Sequence, residues 1–184
     1  MFTTAMQLQP KLIFSLFGSL ILFAIWVQLP FAYYEPSRTF HLPNVLWFIH
    51  LIFLYIHEAG HFFFRIFGDT LYILGGSLSQ ILVPVVWYIV AHRENSRLTI
   101  AALFFTGYSI VDVSVYVKDA GMLQLPLIGG LSKSHHDWAT LMNNWGMIEV
   151  SYTFGEILFW CGMFLSAFAI YLNIRRAFTA SDEQ

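Results

Sequence analysis

Five long runs of apolar residues, separated by short polar segments, divide the chain. They lie at about residues 12–34, 45–67, 71–91, 98–117 and 154–174. Each run has about the 20 mostly apolar residues that a helix needs to cross a bilayer. The pattern predicts an all-α fold, a polytopic membrane helix bundle with about five transmembrane helices. Because no repeat or linker is visible, residues 1–184 are predicted to form a single integral membrane domain.

The polar and helix-breaking residues predict how the runs begin and end. The first run is longer than the roughly 7–15 apolar residues of a signal-peptide core, so we interpret it as a retained helix. Gly75-Gly76-Ser77 and Pro84 predict close packing or a kink in the third run. The long connection at residues 118–153 contains several glycines, and its residues 139–150 are interpreted as a short helix at the membrane surface.

The composition of the chain excludes some classes of binding partner. The chain is 58% hydrophobic and only 11% charged, whereas soluble domains contain roughly a quarter charged residues. A net charge of −2 without any basic tract excludes a nucleic-acid partner, and it leaves membrane lipids as the predicted surroundings. The single cysteine, Cys161, excludes an internal disulfide and a multi-cysteine metal site.

Two histidines and a carboxylate lie inside the second apolar run. A charged residue near the centre of a spanning helix costs roughly 2.5–3.5 kcal/mol, so an embedded ionisable cluster indicates a functional site. His57 and His61 are four residues apart, hence on one helical face, and both imidazoles can reach the same ion. Glu58 follows His57 directly and can accept a proton from a metal-bound water. The His-Glu-x-x-His pattern predicts a zinc site with Glu58 as the catalytic base.

A zinc ion held by two imidazoles needs at least one further protein ligand. Asp112 lies deepest in an apolar run, where an unpaired carboxylate is costly, although a hydrogen-bonded helix contact is an alternative. Asp119 lies near the predicted membrane surface, where solvation alone explains a carboxylate. In the loop, His136 could ligate with Asp137 as its carboxylate partner or as a ligand itself. The predicted metal ligands are His57, His61, Asp112, Asp119 and His136, with Asp137 a further candidate.

Counting spans brings these candidates together. If five spans alternate in direction, the end of the second, the start of the third, the end of the fourth and the long connection share one face. His41 and His92 are then predicted on the opposite face, and the amino terminus on the face of the site. The distribution of Lys and Arg favours placing the amino terminus and the site outside the cytoplasm.

The segment His57-Glu58-Ala59-Gly60-His61, followed by Gly75-Gly76-Ser77, resembles the site-2 protease family of intramembrane zinc metalloproteases. The similarity covers about residues 50–90. It implies His57 and His61 as ligands and Glu58 as the base, with an aspartate ligand two helices later, where Asp112 stands before Val113 instead of glycine. Residues 116–120 and 136–138 are similar to a bacterial membrane branch of metallopeptidase-like proteins, which implies the bacterial inner membrane.

Three functions are open at this level. The first is a membrane-embedded zinc metalloprotease that hydrolyses a membrane-associated peptide or membrane-protein substrate. The second is a non-enzymatic metal-binding subunit of a larger membrane complex. The third is a di-iron membrane oxygenase, since His57, His61 and the His135-His136 pair are similar to its histidine boxes. That family commonly uses about eight histidines, which the resemblance implies, and this chain has seven.

Overall fold

The computed structural model describes residues 10–127 and 130–182, most of which are helical. The helices are α1 Pro10–Trp26, α2 Leu29–Tyr33, α3 Asn44–Phe64, α4 Asp69–Arg93, α5 Thr99–Asp119, α6 Asp137–Asn144 and α7 Ser151–Asp182. Single 3-10 turns cover Arg65–Phe67, Lys133–His135 and Ile148–Val150. Because these two ranges contain no strand, the predicted all-α fold is confirmed.

Among the described residues, five helical stretches are long and apolar enough to cross a membrane. They are Leu12–Tyr33, Asn44–Phe67, Asp69–Arg93, Thr99–Asp119 and Ile148–Thr179. Their number agrees with the prediction, and the fold is compatible with an integral membrane protein. The short helix predicted at residues 139–150 instead covers Asp137–Asn144, because His136 caps its start and Gly146, at φ +67°, follows its end.

Helix α5 forms the centre of the bundle. In its apolar window 78% of the residues are buried, against at most 33% in the other four spans. Helix α7 approaches it closely at two glycines: a Cβ on Gly107 would lie 2.7 Å from the Gly162 carbonyl oxygen, and a Cβ on Gly162 would lie 2.6 Å from the Gly107 oxygen. Small residues at such contacts let helices pack backbone to backbone in a membrane, where no hydrophobic force drives them together.

Helix α1 runs antiparallel to α7. The Asn173 side-chain amide of α7 donates to the Ser15 carbonyl at 3.1 Å, and the Trp26 indole donates to an α7 carbonyl at 3.1 Å further along. After α2, the Tyr34 carbonyl accepts a hydrogen bond of 2.7 Å from Lys118 at the end of α5. The first span therefore begins at the end of the bundle where α7 finishes, and it ends where α5 finishes.

The direction of α3 departs from the alternation assumed in span counting. The end of the bundle that carries residues 120–127 and 130–150 is called the site end below. The loop before α3 lies there, because Arg38 donates to Gln124 at 2.7 Å and His41 lines the same cavity as His57. The turn after α3 lies there as well, since His61 bonds the Tyr72 carbonyl near the start of α4. Two predictions are thus wrong: His41 is at the site end, and the start of the first span is opposite it.

A buried cation fixes the first span and α7 to the end of α5. Lys118, in the last turn of α5, has no exposed area. Its Nζ lies 2.8 Å from Glu156 Oε1 and 4.2 Å and 4.6 Å from the ring centroids of Tyr34 and Phe159. A carboxylate, a carbonyl and two aromatic faces together replace the water that the ammonium group loses.

We expect Glu156→Ala to destabilise the fold by up to about 3 kcal/mol, because it leaves the Lys118 charge buried without its carboxylate. Removing both charges, as Lys118→Met with Glu156→Gln, should cost less, since no unpaired ion remains. Unfolding of the purified variants in detergent measures the difference. A double variant that is no more stable than Glu156→Ala would contradict this account of the ion pair.

Candidate functional site

Three side chains converge at the site end, two from α3 and one from the first turn of α6. His57 Nε2 lies 3.0 Å and His61 Nε2 lies 3.1 Å from the same oxygen, Asp137 Oδ2. All three groups are half-buried, and the three ligand atoms lie within 4.8 Å of one another. These residues are called the ligand cluster below. The helical spacing of the two histidines gives them one face, and α6 brings the carboxylate to that face.

The hydrogen-bond partner of each Nδ1 determines whether the Nε2 of the same imidazole carries a lone pair or a proton. His61 Nδ1 lies 2.8 Å from the Tyr72 carbonyl oxygen, which can only accept, so this nitrogen carries a proton. His57 Nδ1 faces Gln80 Oε1 at 3.2 Å and is a donor for the same reason. In neutral imidazoles, both Nε2 atoms therefore present lone pairs to Asp137. Backbone and amide partners of this kind orient metal-binding histidines.

The carboxylate of Asp137 completes a set of acceptors. Burial raises the pKa of this carboxyl group, but hydrogen bonds and charge from the two facing imidazoles in their protonated form outweigh burial and lower the pKa to about 2. Two nitrogen lone pairs and an ionised oxygen at 3.0–3.1 Å repel one another unless a cation or added protons lie between them. Two imidazoles and a carboxylate are a ligand set that zinc accepts, so the ligand cluster could hold such an ion.

The glycines of α4 make room for the two imidazoles. A Cβ on Gly76 would lie 2.5 Å from His57 Nε2 and 2.7 Å from His61 Nε2. One turn of α4 therefore forms the floor of the ligand cluster, and only a residue without a side chain fits there. Gly75 lets α3 approach in the same way, because a Cβ on it would lie 3.0 Å from the Gly60 carbonyl oxygen.

Replacing Gly76 with alanine should abolish stoichiometric metal binding, because the new methyl group occupies the space between the two Nε2 atoms. Metal content of the purified protein, measured by elemental analysis, tests this. Gly18→Ala is the matched control, since a Cβ there meets nothing closer than 3.8 Å. Equal metal content in both variants would contradict the assignment of Gly76 as the floor of the cluster.

Glu58 lies beside the ligand cluster and outside it. Its side chain is exposed, and it lines a cavity of about 440 Å³ together with His57 and Asp137. Within the described part of the chain, the Glu58 carboxylate has no hydrogen-bond or salt-bridge partner. The cavity walls are mainly apolar; they include Phe40, Trp47, Leu54, Val113 and Leu127. The Glu58 carboxylate therefore lies at the edge of an apolar cavity, next to the ligand cluster.

Three of the predicted ligands lie outside the cluster. Asp112 is buried, and its two oxygens accept from His50 Nδ1 at 2.8 Å and Gln80 Nε2 at 2.5 Å. Asp119, expected near solvent, is fully buried; it accepts from two backbone N–H groups of residues 124 and 125 and faces His136 Nε2 at 3.2 Å. The structure therefore directs Asp112, Asp119 and His136 to partners other than His57 and His61.

His136 and Asp119 instead hold the loop that delivers Asp137. His136 Nδ1 accepts from the Ala139 N–H at 3.2 Å and so caps the start of α6. With Nδ1 an acceptor, the ring proton is on Nε2, which donates to Asp119. The next residue, Asp137, is thereby fixed at the first position of α6. His135 lines the cavity but is exposed, and among the described residues its side chain bonds only within its own turn.

Several residues that shape this site were not predicted from the sequence. Gln80 and the Tyr72 carbonyl orient the imidazoles, and neither belongs to a recognisable motif. Asp137, in contrast, was a further candidate ligand from the sequence, and the structure places it in the cluster. Within the described residues, the ligand cluster is the single group of three or more histidine, cysteine or acidic side chains close enough to share a metal ion.

Comparison of the chain with protein-family models, with curated proteins and with solved structures found no match. The functional argument therefore depends on the geometry of the site.

Proposed function

We propose that this protein is a membrane-embedded zinc-dependent peptidase that hydrolyses a membrane-associated peptide. One observation carries the proposal: His57 Nε2, His61 Nε2 and Asp137 Oδ2 converge beside the free carboxylate of Glu58 in one apolar cavity. The resemblance of His57–His61 to the site-2 protease motif supports the same reading, with Asp137 in place of Asp112 as the third ligand.

The residues divide the chemistry between them. His57, His61 and Asp137 would hold the metal, which when bound lowers the pKa of water toward neutrality and polarises a carbonyl group. Glu58 takes one proton from the attacking water as the hydroxyl oxygen bonds to the peptide carbonyl carbon. As the carbon–nitrogen bond breaks, Glu58 returns that proton to the leaving amine. The products are a carboxylic acid and an amine, and transfer of the acid's proton to the amine gives a carboxylate and an ammonium group, so atoms and charge balance.

The shape of the cavity supports an apolar, extended substrate segment. Residues of α3 form one wall, and Pro126, Leu127 and Leu131 of the long connection form another. An apolar peptide segment gains about 25 cal/mol for each Å² of apolar surface that it buries there. The polar end of the cavity, at Glu58 and Asp137, is the place for the scissile bond.

A structural metal site is the second candidate function. The ligand cluster joins α3 to α6, and hydrogen bonds from His57 and His61 reach α4, so an ion there would tie three helices together. Such a protein would be a non-enzymatic metal-binding subunit. In contrast to the peptidase, it has no use for Glu58 at the cavity edge. A di-iron oxygenase receives no support, because its second metal would need a second ligand cluster in the described residues.

We further propose the bacterial inner membrane as the location, following the resemblance to bacterial metallopeptidase-like proteins. Arg93, Arg97, Arg175 and Arg176 lie toward the end of the bundle opposite the site. At the site end are Arg38, Arg65 and Lys133, while Lys118 there is buried and neutralised. The more cationic end faces the cytoplasm. The site end therefore faces away from the cytoplasm, and the start of α1 lies toward the cytoplasmic side.

Mapping of new protein amino termini in membranes tests the peptidase directly. Membranes containing the wild-type protein should yield cleavage products that membranes with equal amounts of His61→Ala lack. We expect the new termini to lie within or next to apolar segments of membrane proteins. Identical sets of termini from the two membranes would contradict the peptidase and favour the structural metal site.

A further inference from the structure

A buried chain of hydrogen bonds connects the ligand cluster to the interior of the bundle. It runs from His57 Nδ1 to Gln80 Oε1 at 3.2 Å, from Gln80 Nε2 to Asp112 Oδ2 at 2.5 Å, and from Asp112 Oδ1 to His50 Nδ1 at 2.8 Å. Gln80, Asp112 and His50 are each at most 5% exposed. Three helices contribute to this chain, although none of its inner members touches the cluster's shared oxygen.

Each hydrogen bond in this series has a fixed donor and a fixed acceptor. An amide nitrogen can only donate, so the nitrogen of Gln80 faces the carboxylate of Asp112. With the amide turned over, the Gln80 oxygen would face a carboxylate oxygen, and two acceptors would be in contact. The amide oxygen must then face His57. An amide oxygen can only accept, and therefore His57 Nδ1 must carry a proton. The ring nitrogen that remains for a metal is Nε2, the atom that faces Asp137.

We propose that Gln80 and Asp112 are positioning residues that set the protonated nitrogen of His57 and thereby keep its Nε2 available for the metal. This inference rests on the proposed metal site, and it gives Asp112 a role that its predicted function as a ligand did not include. The amide orientation is set at Asp112 and transmitted through Gln80. His50 occupies the second Asp112 oxygen and so leaves the first for the amide.

Two variants separate this role from simple packing. Gln80→Met keeps the length of the side chain but removes both the acceptor for His57 and the donor for Asp112. The double variant Gln80→Glu with Asp112→Asn exchanges carboxylate and amide. In the double variant the new carboxylate accepts from His57 and from the new amide, whose oxygen accepts from His50. The bond between positions 80 and 112 is reversed, but His57 Nδ1 and His50 Nδ1 still donate. Ser114→Ala is the control, because Ser114 is a buried α5 residue whose hydroxyl bonds, within the described ranges, only the Val111 carbonyl.

Two readouts apply at one fixed pH. Nitrogen-15 NMR of the metal-free, histidine-labelled protein reports whether His57 Nδ1 carries a proton, with His57→Gln used to assign the signal. Competition with a chelator gives the zinc dissociation constant. We expect a protonated Nδ1 in the wild type, the control and the double variant, and its loss in Gln80→Met. The zinc dissociation constant should rise about 10–100-fold in Gln80→Met and return close to the wild-type value in the double variant.

If Gln80 and Asp112 act by packing alone, Gln80→Met should bind zinc more tightly than the double variant. Methionine matches glutamine in shape, whereas the double variant buries a relocated charge. A Gln80→Met protein with a protonated Nδ1 and unchanged zinc affinity would overturn the inference. So would a folded double variant as weak as Gln80→Met. If the wild type binds no zinc, the proposed function fails, and the NMR comparison on metal-free protein still decides whether Gln80 and Asp112 fix the His57 proton.

Discussion

The Asp137→Ala variant is expected to lose stoichiometric zinc binding while keeping the helical fold. Asp137 supplies the only anionic atom of the ligand cluster and the single oxygen that both imidazoles approach. Changes to residues that merely orient a ligand weaken metal binding by about 10–100-fold, so loss of a ligand should exceed that range. Elemental analysis and chelator competition on the purified variant measure the effect, and circular dichroism checks the fold.

His135→Ala is the matched control for this variant. His135 is two residues before Asp137, lines the same cavity and, in the part of the chain that the structure describes, bonds only within its own turn. Its removal should leave zinc content and affinity unchanged. If Asp137→Ala keeps the zinc affinity of the control, the third ligand is another residue and the site described above is wrong.

The second large effect is expected from Glu58→Gln, which should abolish peptide hydrolysis without releasing the metal. Positioned general acid–base groups contribute roughly 10²–10⁴-fold to rate, and the amide cannot take the proton that Glu58 transfers. Zinc content should stay the same, because Glu58 is not one of the three converging side chains. The rate of cleavage of a membrane peptide identified by terminus mapping, together with metal analysis of the same sample, separates the two effects.

Glu149→Gln serves as the control for the loss of one acidic group, since Glu149 is exposed at the site end and does not line the cavity. It should hydrolyse the peptide at the wild-type rate. Full peptidase activity of the Glu58→Gln variant would contradict the role of Glu58 as the catalytic base. In that case the ligand cluster would be a structural metal site, as in the second candidate function.

The sequence predicts the helices well, because their signal is local. Apolar runs of bilayer length set the five candidate spans, and the spacing of His57 and His61 places both imidazoles on one face before any tertiary contact is known. Gly75-Gly76 likewise predicted close packing. These features depend only on residues near one another along the chain.

The parts that were not predicted depend on contacts between distant residues. Apolar length carries no information about direction, so it could not show that the loop before α3 returns to the site end through Arg38 and Gln124. Asp112 was predicted as a metal ligand because it lies deep in an apolar run, but its two oxygens accept hydrogen bonds from Gln80 and His50. Asp137 reaches the cluster only because Asp119 and His136, 17 residues apart, fix the start of α6.

X-ray absorption at the zinc edge of the purified, zinc-loaded protein tests the central claim most directly. The account predicts about one zinc per chain, coordinated only by nitrogen and oxygen at about 2.0–2.2 Å, with the multiple-scattering signature of two imidazoles. In Asp137→Ala this signal should disappear. Zinc at background level in the wild type, or a sulfur ligand at about 2.3 Å that implicates Cys161, would contradict it.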